Sequence, residues 1–290
     1  MGIGLFLPKK DQCDTCCSYK AGHVSEVDYQ NHLTKKNSAR DEKTRDKCKA
    51  AAEECHVLTM DVEAVKVSPY LKASALYYKT KLMVHNFTTY DLKSNHAVCY
   101  WWDETEGDLS ASSFASCLVN YINSYCGEDK FPVIVYSDGC TNQNRNAMMS
   151  TALLELGVSQ KRVIMQKFLE KGHTQMECDS VHSAIEAQLK NKTINVPSDY
   201  VKICLKAGDP HVTHLRAIRY NPEGTISFKL DHATEEWKEL PQKPKLVTNP
   251  EWPKLHADRL KITTRKYKDL QDLKHVTPAE HHEYYNNLLH

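Results

Sequence analysis

Residues 131–138 read Phe-Pro-Val-Ile-Val-Tyr-Ser-Asp, and residues 139–146 continue Gly-Cys-Thr-Asn-Gln-Asn-Arg-Asn. The unbroken apolar run from Val133 to Tyr136 does not alternate, which predicts a short strand buried on both faces. The strand ends at an acid, Asp138, and opens into a polar turn. Residues 56–62, HVLTMDV, offer a strand of the same kind, again closing on an acid, Asp61.

Working outward, residues 76–90 alternate like a long strand, with Leu82 and Val84 on one face and Met83, His85 and Phe87 on the other. Residues 97–102, AVCYWW, form a third strand. The short gaps suit antiparallel connections. Leu109, Phe114, Leu118, Tyr121, Ile122 and Tyr125 then recur near the helical period, with Ser110 as N-cap. A helix over 146–157 stops at Gly157, a strand follows over 163–169, and a helix over 174–191 carries Val181, Ile185 and Leu189 on one face. The order β-β-β-α-β-α-β-α predicts an α/β fold built on a ribonuclease-H-like, mixed five-stranded sheet with flanking helices.

Three regions are expected. Residues 1–56 hold a Cys cluster and a charged helix over 35–55, whose mixed signs predict a solvated face. Residues 57–206 form the core. Residues 207–290 form a small β-rich region, with a hairpin over 211–220 and 225–230, a basic linker and a helix-like EHHEYYNNLL. Hydrophobic residues at 41% and charged residues at 26% exclude wholesale disorder. No apolar run of about 18 residues is available for a membrane span. The amino-terminal apolar stretch is too short for a signal peptide. Eleven cysteines cannot all pair within the chain. The expectation is free thiols in a reducing compartment, nuclear or cytoplasmic and not secreted.

The net charge of +1 conceals a split. Residues 35–49 carry seven bases against three acids, and residues 243–268 eight against two, whereas the 57–206 core carries 15 against 16. Basic flanks about an acidic centre suit a nucleic-acid partner. Lys261, Arg265 and Lys266 are candidate phosphate contacts in the second flank. The turn residues Gln143, Asn144 and Arg145, entering a helix, are candidates within the core.

The acids carry the chemistry. On adjacent strands Asp61 and Asp138 would meet at one edge of the sheet, where two carboxylates repel unless a cation lies between them. Hard ions such as Mg²⁺ or Mn²⁺ take oxygen ligands of this kind. A pair of them serves phosphodiester cleavage. A third acid should come from the stretch GHTQMECDSVHS at 172–183. Glu177 has a structural role as the far end of a Thr174 capping box. Asp179 borders the apolar face and is preferred, with Glu177 and then Glu186 behind it. His182 and Glu186 follow on the same stripe. His173, where the chain leaves the last strand, is placed beside the acids as a contact to metal-bound water or phosphate.

The stretch SDGCTNQNRN, then KGHTQMECDSVHS, after a first strand ending TMD, resembles eukaryotic transposon-derived proteins with a DDE-type, ribonuclease-H-like transposase core, many known only as domains of unknown function. The resemblance covers roughly residues 57–206. The family loop Asp-x-Cys-x-x-Gln-Asn-x-Asn is matched by Asp138, Cys140, Gln143, Asn144 and Asn146. The Gly-His-Thr motif with its following acid is matched by Gly172, His173, Thr174 and Asp179. The resemblance implies a transposase-like nuclease or strand transferase acting on DNA, transposon ends among its partners, two Mg²⁺ or Mn²⁺ ions held by Asp61, Asp138 and Asp179, and a homo-oligomer. It also favours Asp179 as the third acid. Such transposases usually carry a DNA-binding region upstream, and none precedes the Cys cluster, so a truncated or domesticated form is expected. The alternative is an inactive DNA- or protein-binding module that keeps the fold.

Cys13 and Cys16 form a C-x2-C pair. A zinc knuckle would need two more ligands, for which His23, His32, Cys48 and Cys55 are candidates, none in a second tight pair. A cysteine nucleophile, Cys140 with His173, is a rival that leaves Asp61 without a role.

Overall fold

A computed structural model of the protein describes residues 13–127, 129–207, 217–220, 226–229, 238–239, 256 and 258–290. The protein is mixed α/β, and its main sheet has six strands. The chain divides into two compact units that interleave along the sequence.

The first unit comprises residues 1–65, 85–101 and 108–179. Its centre is β1 (His56–Val62), in which Val57, Leu58, Thr59 and Met60 are all buried. On one side β1 runs antiparallel to β3 (Leu82–Asp91), Met60 facing Thr89. On the other it runs parallel to β5 (Val133–Ser137), Thr59 facing Tyr136. β5 is buried along its whole length, as an unbroken apolar run requires. It is followed by β6 (Ile164–Phe168), again parallel. β4 (Ala97–Asp103) pairs with β3. Three antiparallel strands followed by two parallel ones is the order that the sequence predicts. The sixth strand, β2 (Lys66–Ser68), pairs with the start of β3 and is unexpected.

The helices follow local chemistry, with several shifted ends. α3 (Ala111–Tyr125) starts at Ser110, whose Oγ accepts from the Ser113 N–H, and buries Phe114, Leu118, Tyr121 and Ile122. α4 (Ala147–Gln160) runs through Gly157 and stops at Lys161, which takes the left-handed conformation (φ 53°) in place of the predicted glycine. β3 begins at Leu82, six residues later than expected, because residues 74–76 form a 3₁₀ turn. α5 (Cys178–Leu189) begins four residues later than expected, at the end of a turn-rich loop.

The charged helix is longer than its charge run. α1 (Asp14–Lys20) leads into α2 (Glu26–Ala51), which starts at the N-cap Ser25. Most of the charged run is exposed or half-buried, as a solvated face requires, but Asp46 is fully buried. Its carboxylate accepts from Tyr136 Oη at 2.6 Å and Lys167 Nζ at 2.5 Å, tying α2 to β5 and β6. Lys167 also bonds Glu42, and Lys43 bonds Glu177 at 2.7 Å. Burial pushes Asp46 up, but hydrogen bonds from Lys167, Tyr136 and Lys49 outweigh it and hold the carboxyl below its ordinary range.

The second unit comprises residues 66–84, 102–107 and 180–290. It holds β2 with the start of β3, most of α5, α6 (Ser198–Ala207), α7 (Thr264–Asp272) and α8 (His282–Asn286). Leu82, Val196, Ile262, Leu270, Tyr285 and Leu288 form its core. β7 (Ala217–Tyr220) and β8 (Ile226–Lys229) make the expected hairpin, joined by β9 (Lys238–Glu239). The basic linker after β9 lies outside the described residues up to position 255.

Candidate active site

Asp61 is the penultimate residue of β1 and Asp138 follows β5. Each lies two positions beyond the paired residues Thr59 and Tyr136, so parallel pairing brings both to the same end of the sheet. Asp179 comes to the same place from the first turn of α5, its carboxylate within 4.8 Å of that of Asp61.

Each carboxylate is oriented by its own chain. Val62 N–H donates to Asp61 Oδ1 at 2.8 Å. Asp138 Oδ1 accepts from the Cys140 N–H at 3.2 Å and from Asn144 Nδ2 at 2.7 Å. Asp179 Oδ2 accepts from the Met176 N–H at 3.0 Å. Asp179, and not Glu177, therefore caps the start of α5, while Glu177 turns to Lys43 on α2. Glu186 pairs with Lys66 in the second unit.

Asp61 is perturbed. Burial pushes its carboxyl up to about 7, the Val62 N–H pulls the other way, and the charges of Asp138 and Asp179 add to the rise. Three carboxylates with one driven towards its neutral form are a set in which a cation would relieve both desolvation and repulsion. Carboxylates at a partly open sheet edge fit a hard divalent ion.

The turn after Asp138 is well pinned. Asn144 is buried, its carbonyl accepts from Gln166 Nε2 at 2.6 Å, and Asn146 caps α4 by accepting from the Met149 N–H at 2.9 Å. Its role here is to hold Asp138. Gln143 is half-buried in the turn, and the exposed Arg145 places its guanidinium 5.3 Å from the Phe168 ring centroid. In the second unit Lys261 and Arg265 are exposed, whereas Lys266 is ion-paired with Glu104 at 2.7 Å.

His173 lies in a different group. Its Nε2 is 3.4 Å from Cys16 Sγ and 3.0 Å from His32 Nε2. His32 Nε2 in turn is 3.3 Å from Cys13 Sγ and 3.6 Å from Cys16 Sγ. Of the four residues named as completing the Cys pair, the structure brings in His32 alone, and the fourth member comes from 141 positions further on. No tight second spacing marks either histidine in the sequence. All eleven cysteines are free of disulfides, and among the described residues no helix is long and apolar enough to cross a membrane.

A family model described as a domain of unknown function, DUF7869, matches residues 72–236, more than half of the chain. The chain belongs to this family. The DUF7869 match includes Asp138, His173 and Asp179, while Asp61, Cys13, Cys16 and His32 precede it. No curated protein matches the sequence. Among solved structures, the Mos1 transposase paired-end complex with left transposon end is similar at a TM-score of 0.33 and 13% identity, over 72% of this chain and 66% of that one. The chain thus spans just under two thirds of that transposase chain.

Proposed function

We propose that this DUF7869 protein is a transposase-like nuclease or strand transferase that acts on DNA phosphodiesters through a DDE-type carboxylate site. The observation that carries the proposal is that Asp61 and Asp138 reach the same end of two adjacent parallel strands, with the Asp179 carboxylate, from the following helix, within 4.8 Å of that of Asp61. The mixed sheet, with three antiparallel strands followed by two parallel ones, supports reading it as a ribonuclease-H-like frame for such a triad.

Asp61, Asp138 and Asp179 would hold Mg²⁺ or Mn²⁺, which when bound supply activation of the attacking oxygen and charge stabilisation at the leaving one. The chain's own residues do the rest. Asn144 and the Cys140 N–H keep Asp138 fixed, and the Met176 N–H does the same for Asp179. Arg145, Lys261 and Arg265 are exposed cations suited to backbone phosphates, the sequence-independent part of DNA binding. Lys266, engaged with Glu104, contributes less. DNA ends, in the nucleus, are the partner this chemistry requires, with a homo-oligomer as the form that would hold two of them.

The test is cleavage or joining of DNA by the purified chain with Mg²⁺ or Mn²⁺, beside Asp61→Asn and Asp138→Asn. Wild type should act on DNA, and each variant should fall by about 10²-fold or more, as loss of a ligand that stabilises transition-state charge implies. Equal cleavage by all three would overturn the catalytic assignment. Metal-independent DNA binding with no cleavage would leave a module that retains only the fold.

A further inference from the structure

We infer that Cys13, Cys16, His32 and His173 form a tetrahedral zinc site that fastens the amino-terminal helices to the loop leading into the helix of the third acid. The binding claim stands on these four residues alone. Only its consequence for Asp179 rests on the catalytic proposal.

The four donor atoms all lie within 4.8 Å of one another. The separations recorded between them are 3.0 Å for nitrogen to nitrogen and 3.3–3.6 Å for sulfur to nitrogen. A tetrahedron built on Zn–S of about 2.3 Å and Zn–N of about 2.0–2.1 Å has edges of roughly 3.3–3.8 Å. The group is thus already drawn to that size, slightly tighter at the histidine pair. Hydrogen bonding does not account for it. Three partners, Cys13 Sγ, Cys16 Sγ and His173 Nε2, converge on the single Nε2 of His32, which has one proton or one lone pair to offer. One cation at their centre engages all four atoms at once.

The surroundings support a metal. Cys13 and His32 are buried. The other ring nitrogen of His32, Nδ1, faces Glu170 at 3.7 Å, the carboxylate–imidazole arrangement that fixes a ligand histidine's orientation. Cys13 is the N-cap of α1, so Cys13 and Cys16 sit on its opening turn. Gly172 precedes His173 with φ +75°, and a Cβ there would lie 2.9 Å from both Cα and Cβ of Cys13. The chain therefore uses a glycine where the ligand loop passes closest to the ligand helix.

There is also an energetic need. α1 buries no residue, and the 26 residues of α2 bury only His32, Asp46 and Ala50. Too little apolar area is covered to order the pair of helices, and a structural zinc supplies folding free energy outright. The site joins residues 13–32 to residue 173, six positions before Asp179.

The experiment is metal analysis of the full-length chain purified without chelator, followed by exchange to Co²⁺ and absorption spectroscopy. One zinc per chain is expected, with the visible bands of tetrahedral Co²⁺ and a thiolate charge-transfer band. Zinc should protect Cys13 and Cys16 from alkylation until a strong chelator is added. Cys16→Ser and His173→Ala should each lower zinc affinity at least 100-fold, whereas Cys17→Ser and His23→Ala should retain it. Wild-type protein that carries no zinc and takes none up overturns the site, whatever the variants do. So does equal loss in Cys17→Ser and Cys16→Ser, or unchanged affinity in His173→Ala. Because the readout is metal content, an inactive protein that binds zinc would sink the catalytic proposal and leave this one standing.

Discussion

Replacing Asp61 by Asn should stabilise the protein, and increasingly so as the pH rises. Asp61 is held at about 7 in the folded state, against about 3.9 in an unfolded chain. Below about pH 3 the carboxyl is largely protonated in both states and costs almost nothing. As the pH rises the unfolded state gives up its proton first, so the native state binds more protons and loses stability until the pH passes about 7. With these two values the loss is ~1.5 kcal/mol at pH 5 and ~4 kcal/mol at pH 8, an upper limit for a half-buried group. Asn carries no charge and can still accept from the Val62 N–H. The variant should therefore gain about 2.5 kcal/mol on wild type between pH 5 and pH 8. For a protein of this size that is about 5–10 °C in unfolding midpoint. The assay is thermal denaturation of both proteins at pH 5, 6.5 and 8 in buffer without added divalent ions. Adding Mg²⁺ at pH 8 should then raise the wild-type midpoint more than that of Asp61→Asn. A gap between the two proteins that is the same at pH 5 and pH 8 would refute the desolvation of Asp61.

Other outcomes follow from the same contacts. Asp46→Ala leaves Lys167 and the Tyr136 hydroxyl facing a buried gap and should cost ~3–5 kcal/mol by denaturant melts; a loss below ~1 kcal/mol would show that the ionic tie of α2 is dispensable. Gly172→Ala meets both a left-handed backbone and the Cys13 backbone at 2.9 Å, and should release zinc at lower chelator concentration than wild type. Asn144→Ala removes the side-chain donor to Asp138 and should lower the cleavage rate about 10–100-fold with little change in DNA affinity; an equal fall in affinity would point to a direct DNA contact instead.

The central strands were legible because their signal is local. β1 is placed residue for residue and β5 falls within its predicted run, since strands buried on both faces leave apolar stretches, and β6 falls within its run although it is only half-buried. β2 was not legible, because three residues cannot display alternation. The true start of α2 at Ser25 was hidden by the polar, weakly periodic run that follows it. The capping pattern at Thr174 and Glu177 misplaces the start of α5, because Lys43 from a distant helix claims Glu177 and Asp179 accepts from the Met176 N–H. The two acids on β1 and β5 come together by strand pairing, which a sequence can suggest. The meeting of His32 with His173 depends on how α2 packs, and no spacing encodes that.

The interleaving of the two units restricts how this chain can be cut or shortened. The sequence passes from one unit to the other after positions 65, 84, 101, 107 and 179. Two of these passages fall inside β3 and β4, so a single strand serves both units. On the ribosome the first unit cannot close until residue 179 has emerged. Leu82, at the head of β3, then waits for Ile262, Leu270 and Leu288 before its core is complete. A stop codon after α6 would strip those partners and leave an apolar strand end bare, inviting aggregation. Loss of the last 80 or so residues is therefore not a route by which this protein could be whittled down to a free-standing catalytic fragment.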